Sequence, residues 1–171
     1  MNRRVVITGL GVIACNGIGK DAFWDALRNG RTGIDRITSF DPSPFPTQMA
    51  GEVHDFDPEQ YMDKKKIKRM DRTSQFAVAA AKMAVQDSGI ELSNGYKESA
   101  GVLIGTAMAG QAYITEQHDV FRDKGPMKIN PNTALASFPD ACCSQISIEL
   151  GIQGPSFQVA TACSSALDAI G

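Results

Sequence analysis

The chain has 171 residues and a mass of 18.3 kDa, enough for one domain with a substantial core. A hydrophobic fraction of 43% is ordinary for a globular protein, and the net charge of −2 excludes a generally basic nucleic-acid-binding protein. No apolar run approaches the roughly 20 residues of a membrane-spanning helix, and the N-terminus lacks the apolar segment of a secretory signal. We therefore expect a cytoplasmic protein without membrane insertion and without a nucleic-acid partner.

Four cysteines are present, at Cys15, Cys142, Cys143 and Cys163. Their number and spacing fit no disulfide framework, and no C-x-x-C pair or histidine cluster offers a zinc site. A reducing compartment fits this pattern, and we expect no metal and no cofactor. Cys142 and Cys143 fall within a helical pattern and are predicted to be buried structural thiols.

The N-terminal part begins with a β-branched run at residues 5–8, which predicts a buried strand leading into a glycine-rich segment. Asp21 is predicted to cap a short helix over residues 22–28. Strand, glycine loop and helix in this order suggest a nucleotide-binding domain, but the spacing is not G-x-G-x-x-G and no P-loop Lys-Ser/Thr follows. Nucleotide binding would show as a thermal shift, which is the test of this alternative.

The next segment, residues 31–58, is rich in proline and predicts an irregular excursion with a short strand at 51–53. Residues 57–60 have the form of a capping box with Pro58 at the first helical position, so a short helix should begin there. Five of the six residues from 64 to 69 are cations. This run is either a solvated helix face or a docking surface for an acidic partner.

The middle of the chain alternates helices and strands. The patterns predict a helix over residues 71–88, a second buried strand over 101–106, a helix over about 111–124, and another helix after Asn132 that runs to about residue 150. This alternation predicts an α/β domain with a largely parallel sheet and helices on both faces.

The last 18 residues predict a strand, a sharp turn and a helix start, with Cys163 at the corner. The positive end of the helix dipole would stabilise the thiolate form of Cys163, and nearby backbone N–H groups could hold the oxyanion formed when it attacks a thioester. The alternative is a buried core cysteine that acts as a small hydrophobic residue. Because the final helix shows no stop signal before Gly171, we expect a truncated piece of a larger protein.

Residues 159–166 (VATACSSA) resemble the nucleophile motif of the β-ketoacyl synthases, condensing enzymes of the thiolase-like superfamily. Residues 4–11 (RVVITGLG), 101–106 (GVLIGT) and 151–156 (GIQGPS) are similar to further segments of that family, in the expected order. Ala160 stands where modular polyketide synthase domains usually carry an acidic residue, so the chain resembles the discrete synthases.

The resemblance implies a fold and an assembly. Residues 1–171 would form the N-terminal half of the five-layered αβαβα architecture, truncated just after the nucleophile, with the C-terminal half absent. The family resemblance also implies a homodimer, with the strand around residues 156–161 near the dimer interface.

The implied reaction is a decarboxylative Claisen condensation in fatty acid or related polyketide-type biosynthesis. Cys163 would take an acyl group from acyl carrier protein, and the carbanion from malonyl-carrier protein would attack this acyl-enzyme. Two histidines of the other half would assist, whereas His54 and His118 lie outside the family's histidine motifs and are predicted to be surface residues. We therefore expect no condensing activity from the isolated 171 residues.

Further residue roles follow from the resemblance alone. Lys65, Lys68, Arg69 and Lys128 match basic positions of the family's surface for acyl carrier protein. Met108 matches a residue that lines the acyl pocket and limits the length of the acyl chain; as a flexible thioether it would be an adaptable gate.

Two other classes of protein would have a similar sequence. A thiolase-type acyltransferase would use the same nucleophile on coenzyme A thioesters without decarboxylation, and a second catalytic cysteine in the missing half would distinguish it. A chain-length-factor-like partner subunit would be non-catalytic, but such subunits usually lack the nucleophile that Cys163 supplies.

Overall fold

The computed structural model describes residues 4–93, 95–138 and 140–171; positions 1–3, 94 and 139 of the predicted domain lie outside the described residues. The chain forms two compact units. The first contains residues 4–57 and 82–90, and the second contains residues 58–81 and 91–171. Every predicted site residue falls in the second unit.

Short antiparallel strand pairs and one helix build the first unit. β1 (Ile13–Ala14) pairs with β2 (Gly17–Ile18), and β3 (Ile34–Arg36) pairs with β4 (Met49–Gly51). α1 (Lys20–Arg28) begins two residues after β2 ends. The glycine-rich segment of the sequence therefore forms a hairpin that leads directly into a helix.

Two sequence predictions for the first unit were wrong. The buried strand predicted at residues 5–8 is not formed: no described strand pairs with it, and Val5 and Ile7 are 94% and 78% exposed. A β-branched run favours an extended backbone, but a strand also needs a hydrogen-bonded neighbour. Gly19, and not Asp21, is the N-cap of α1; Asp21 lies in the first turn, where its charge complements the helix dipole.

Helices dominate the second unit. Asp71 caps the longest of them, because its carboxylate accepts the backbone N–H groups of Thr73 and Ser74 at 3.1 and 2.9 Å. Within the described ranges, no helix is both long and apolar enough to cross a membrane. The helices are α2 (Lys64–Ile67), α3 (Arg72–Ser88, shared by the two units), α4 (Tyr96–Ser99), α5 (Gln111–Lys124), α6 (Thr133–Ser137), α7 (Ala141–Leu150) and α8 (Ser165–Ile170), with 3₁₀ turns at Pro58–Gln60, Pro126–Lys128 and Ala162–Ser164.

A parallel pair of strands organises the second unit. β5 (Val102–Gly105) and β6 (Ser156–Val159) pair in register along their full length, so their carboxyl ends lie at the same edge. α7 and α8 both pack against this pair. The predicted α/β class with parallel strands is therefore confirmed. The buried apolar residues of this unit include Val78, Ala79, Val102, Ala136, Cys142, Cys143 and Ile146.

The helix predictions for this unit are confirmed in one place and wrong in another. α5 has the predicted bounds, Gln111–Lys124. The single helix predicted from residue 133 to 150 is instead two helices, because Phe138 adopts an extended backbone with φ −64° and ψ 140°. Phe138 precedes a proline in the sequence, and that position disfavours the helical conformation. Position 139 itself lies outside the described residues.

Candidate active site

The candidate nucleophile lies on the connection between β6 and α8. β6 ends at Val159, and the 3₁₀ turn places Cys163 two residues before α8 begins at Ser165. The side chain of Cys163 is exposed, as a thiol that attacks a large substrate must be. The predicted strand, turn and helix start are confirmed, and the alternative of a buried core cysteine is wrong.

The residue before the thiol has a strained backbone. Ala162 has a φ of 55°, and it is the sole non-glycine residue with a positive φ in the described part of the chain. A left-handed conformation costs an L-residue about 1–2 kcal/mol. Such a conformation persists only where the surrounding contacts hold it, and it occurs preferentially at functional sites.

A buried hydroxyl spans this strained residue. Ser165, the first residue of α8, is 2% exposed. Its Oγ accepts the backbone N–H of Thr161 at 2.8 Å and donates to the carbonyl oxygen of Ala162 at 2.6 Å. These two backbone groups lie on opposite sides of the Ala162 Cα, so one side chain fixes the chain before and after it.

A second polar cluster ties the start of the turn to the first turn of α8. The Oδ2 atom of Asp168 accepts a hydrogen bond from the Thr161 hydroxyl and lies 3.2 Å from the Ser164 Oγ. The Ser164 Oγ also lies 2.9 Å from the carbonyl oxygen of Thr161. These contacts leave the thiol of Cys163 outside the cluster, facing solvent.

The turn packs closely on the end of β5. Gly105 is the last residue of that strand, and a Cβ atom at this position would collide with the backbone carbonyl of Ser165. Only glycine permits two backbone segments to approach so closely. The start of α8 therefore rests directly on the backbone of β5.

The two predicted structural thiols lie on α7, away from solvent. Cys142 and Cys143 are each 1% exposed, which confirms that they are buried. Burial raises the pKa of Cys142 to about 11 and also raises the pKa of Cys143. Cys143 donates to the carbonyl oxygen of Phe157 at 3.0 Å, so it links α7 to β6, the strand before Cys163.

Met108 follows β5, and Cys163 follows β6, at the shared carboxyl edge of the pair. The connection after β5 begins against the end of β6, because the N–H of Thr106 donates to the carbonyl oxygen of Val159, the last residue of β6, at 3.1 Å. Met108 is 70% exposed. The fold thus brings the predicted pocket residue and the candidate nucleophile to one edge of the sheet.

The predicted carrier-protein residues divide into two groups. Lys65, Lys68 and Arg69 are exposed and lie in or just after α2, whose N-terminus Asp63 caps through the N–H of Lys65 at 2.8 Å. Lys128 is also exposed but belongs to a different element, the 3₁₀ turn after α5. The first three form one cationic surface, and the structure provides no contact that joins Lys128 to them within the described chain.

Both histidines are exposed. His54 lies beyond β4, and its Nε2 is 3.7 Å from the Glu52 carboxylate; His118 lies on α5. Among residues 4–93, 95–138 and 140–171, no group of three His, Cys, Asp or Glu side chains could hold a metal ion.

Sequence reasoning missed the residues that shape the turn at Cys163. Ser165 and Asp168 read as ordinary positions of the last helix, and Gly105 as the end of a strand. The one available signal was the abrupt change from the β-prone segment to small residues, which marks a tight connection but not its contacts.

Comparison with known sequences gives a match over nearly the whole chain. The family described as "Beta-ketoacyl synthase, N-terminal domain" matches residues 2–171. A 3-oxoacyl-[acyl-carrier-protein] synthase 2 of Coxiella burnetii is 40% identical over 99% of this chain and 41% of its own length. A protein of the same name from Staphylococcus aureus strain N315 is 36% identical with the same coverage. The chain thus spans about two fifths of the length of these curated relatives.

Solved structures agree with the sequence match. The ishigamide ketosynthase/chain length factor has a TM-score of 0.83 and 33% identity, covering 99% of this chain and 44% of that one. A beta-ketoacyl synthase from Burkholderia phymatum STM815 has a TM-score of 0.78 at 24% identity, covering 99% and 42%. The fold is therefore thiolase-like and corresponds to the N-terminal half of a ketosynthase. Together with the family match, this establishes that the chain belongs to the β-ketoacyl synthase family.

Proposed function

We propose that this chain is the N-terminal half of a discrete 3-oxoacyl-[acyl-carrier-protein] synthase that elongates an acyl chain in fatty acid or related polyketide-type biosynthesis. The observation that carries the proposal is the exposed thiol of Cys163 on a strained turn at the carboxyl end of a parallel strand. The names of the curated relatives support this class of reaction. The protein would act in the cytoplasm as a homodimer.

The first step is acyl transfer to Cys163. The Sγ atom attacks the carbonyl carbon of the acyl-carrier-protein thioester, and negative charge develops on the carbonyl oxygen. When the tetrahedral intermediate collapses, the carbon–sulfur bond to the carrier protein breaks. The proton from Cys163 ends on the released carrier-protein thiol, and the acyl group remains on Cys163.

The second step is condensation. Malonyl-carrier protein loses carbon dioxide, and the electron pair of the broken carbon–carbon bond forms the new bond to the acyl carbon. The sulfur of Cys163 leaves as a thiolate and takes up a proton from solvent, which restores the thiol. Stabilising the enolate requires hydrogen-bond donors beside the thiol. We assign these to the two histidines of a C-terminal half, because His54 and His118 are exposed and lie on other elements.

Acyl chain length is proposed to depend on Met108. The supporting observation is that Met108 and Cys163 follow neighbouring parallel strands at the same edge. Its 70% exposure in this chain leaves the thioether free to contact an acyl group bound beside Cys163. An unbranched side chain can adapt to acyl groups of different length.

Acyl carrier protein is proposed to dock on Lys65, Lys68 and Arg69, with Lys128 as a further contact. The surface beside α2 supports this. A groove of about 280 Å³ lies next to Arg69 and contains Leu135 and Ile148, which are 63% and 67% exposed. The groove is also lined by Lys66, which pairs with Glu149, so Arg69 is the proposed docking residue beside its apolar side chains. A cation next to apolar side chains suits an acidic partner that also buries apolar surface.

The nucleophile is tested by mass spectrometry of the intact protein that carries this chain, after incubation with an acyl-carrier-protein thioester. We expect one acyl adduct, located on Cys163 and absent from a Cys163→Ala variant. Binding of carrier protein without any adduct would contradict the enzyme and favour the non-catalytic partner subunit. An adduct formed from acyl-coenzyme A, but not from acyl-carrier protein, would favour the thiolase-type acyltransferase.

The docking surface is tested by reversing its charge. Lys68→Glu should weaken carrier-protein binding by about tenfold at low salt, and the difference should shrink as ionic strength rises. Arg28→Glu in α1 makes the same change of net charge at an exposed site and is the matched control. Equal weakening by both variants would mean that overall charge, and not this surface, governs binding.

A further inference from the structure

We propose that Ser165 is a positioning residue that aims the backbone N–H of Cys163 at the oxyanion formed during acyl transfer. The inference rests on the proposed function and assigns a role to a residue that does not touch the substrate. Its basis is the pair of hydrogen bonds that the buried Ser165 hydroxyl makes across the strained Ala162.

The orientation of the peptide unit between Ala162 and Cys163 is fixed at its carbonyl oxygen. The Ala162 oxygen accepts the Ser165 hydroxyl at 2.6 Å. The peptide unit is planar and trans, so its N–H points away from its carbonyl oxygen. The Cys163 N–H is therefore directed to the side opposite Ser165. In the part of the chain that the structure describes, this N–H has no hydrogen-bond acceptor.

The turn needs a contact from another residue, because the Ala162 backbone would otherwise rotate to a negative φ. A φ of 55° at Ala162 is unfavourable for a residue with a Cβ, so the turn needs contacts that oppose rotation of this peptide. The Ser165 hydroxyl provides two such contacts: it donates its proton to the carbonyl oxygen of Ala162 and accepts the N–H of Thr161.

Ser165 can hold the turn because it is itself fixed. It is 2% exposed, and its backbone carbonyl lies so close to Gly105 that any side chain at that position would collide with it. The position of the hydroxyl is thus set by β5, a regular strand, and is transmitted through two hydrogen bonds to the nucleophile's own N–H. A donor that is already oriented stabilises the developing charge without reorganisation during the reaction.

The test compares two reactions of Cys163 in the intact protein. Acylation by an acyl-carrier-protein thioester develops an oxyanion, whereas alkylation by iodoacetamide does not. Ser165→Ala should slow acylation by about 100-fold, the effect of losing one oxyanion donor, and change alkylation by less than about threefold. Ser74→Ala removes another buried hydroxyl, 0% exposed and on α3, and should leave both rates near those of the wild type.

Equal slowing of both reactions in Ser165→Ala would show a merely structural role and overturn the proposal, as would unchanged acylation. Failure of the wild-type protein to acquire an acyl group would overturn the proposed function, and with it the oxyanion for which Ser165 is assigned. A wild-type adduct combined with normal acylation of Ser165→Ala would overturn the Ser165 role alone.

A crystal structure of the wild-type acyl-enzyme tests the proposal without any variant. The thioester carbonyl oxygen should lie about 2.7–3.1 Å from the backbone nitrogen of Cys163, with both Ser165 hydrogen bonds retained. An acyl oxygen held only by other donors would overturn the assignment.

Discussion

Two regions of the second unit carry cysteines, and the thiols of the two regions lie in opposite environments. On α7, Cys142 and Cys143 are 1% exposed, and burial raises the pKa of both thiols. On the connection from β6 to α8, Cys163 is exposed and follows a strained alanine. The contrast teaches that the position of a thiol in the fold, and not its residue type, decides whether a reagent can reach it.

The largest expected difference between Cys163 and the buried cysteines is in acyl transfer. Cys163→Ala should abolish the acyl adduct and lower condensation by more than about 1,000-fold, because it removes the thiol on which the proposed covalent intermediate forms. Cys142→Ala should leave the adduct intact, since that thiol is buried and points into the core. Mass spectrometry of both variants checks this; an adduct that survives in Cys163→Ala would place the nucleophile elsewhere.

The pH dependence of alkylation by iodoacetamide also distinguishes the two kinds of cysteine. Burial raises the pKa of Cys142 to about 11, so only about one thiol in a thousand is ionised at pH 8. Cys163 should therefore react at least about 100-fold faster than Cys142 in the folded protein. The Cys142 rate should rise about tenfold per pH unit towards pH 11. Peptide mass spectrometry measures both rates.

Unfolding in urea is the control for the alkylation experiment. The two cysteines should then react at similar rates, because both lose their folded surroundings. Comparable rates in the folded protein would contradict the burial of Cys142.

The structural role of α7 predicts an effect on stability. Cys143→Ala should lower the free energy of unfolding by about 1–2 kcal/mol, because it removes buried volume and the bond to the Phe157 carbonyl. Cys163→Ala, at an exposed position, should change it by less than about 0.5 kcal/mol. Urea denaturation measures both, and a larger loss for Cys163→Ala would reverse the assignment of the two regions.

The smallest expected effect concerns the strained turn. Ala162→Gly should raise the free energy of unfolding by up to about 1 kcal/mol, because glycine adopts a positive φ without penalty, although its unfolded chain is more flexible. Ala160→Gly, at a position without a positive φ, should lower it by a few tenths to about 1 kcal/mol. Equal destabilisation by both variants would show that Ala162 is not strained.

Local patterns were enough to predict several elements of this fold. α5 was predicted with its observed bounds, since Gly110 and Gly125 enclose a periodic segment. The turn at Cys163 was predicted because a β-prone segment gives way to small residues with helical spacing. In each case the signal lies within a few residues of the element itself.

Contacts between distant parts of the chain were not predictable. β3 pairs with β4 across a loop of twelve residues, 37–48, and the strand expected at 51–53 lies at Met49–Gly51, because register depends on that distant partner. The Ser165 hydrogen bonds depend on the turn conformation at Ala162, which alanine does not favour intrinsically. Residue roles taken from the family, such as those of Met108 and Lys128, remain predictions.

The glycine at the end of β5 has a consequence for how this protein can vary. Gly105 lets the backbone of α8 contact the strand with no side chain between them. A larger residue at this position would therefore displace the turn that carries Cys163. Met108, three residues after Gly105, is instead 70% exposed on the connection after β5, so its side chain can be exchanged without such a collision. A position that accepts only glycine and a position that accepts larger side chains thus lie three residues apart in the chain.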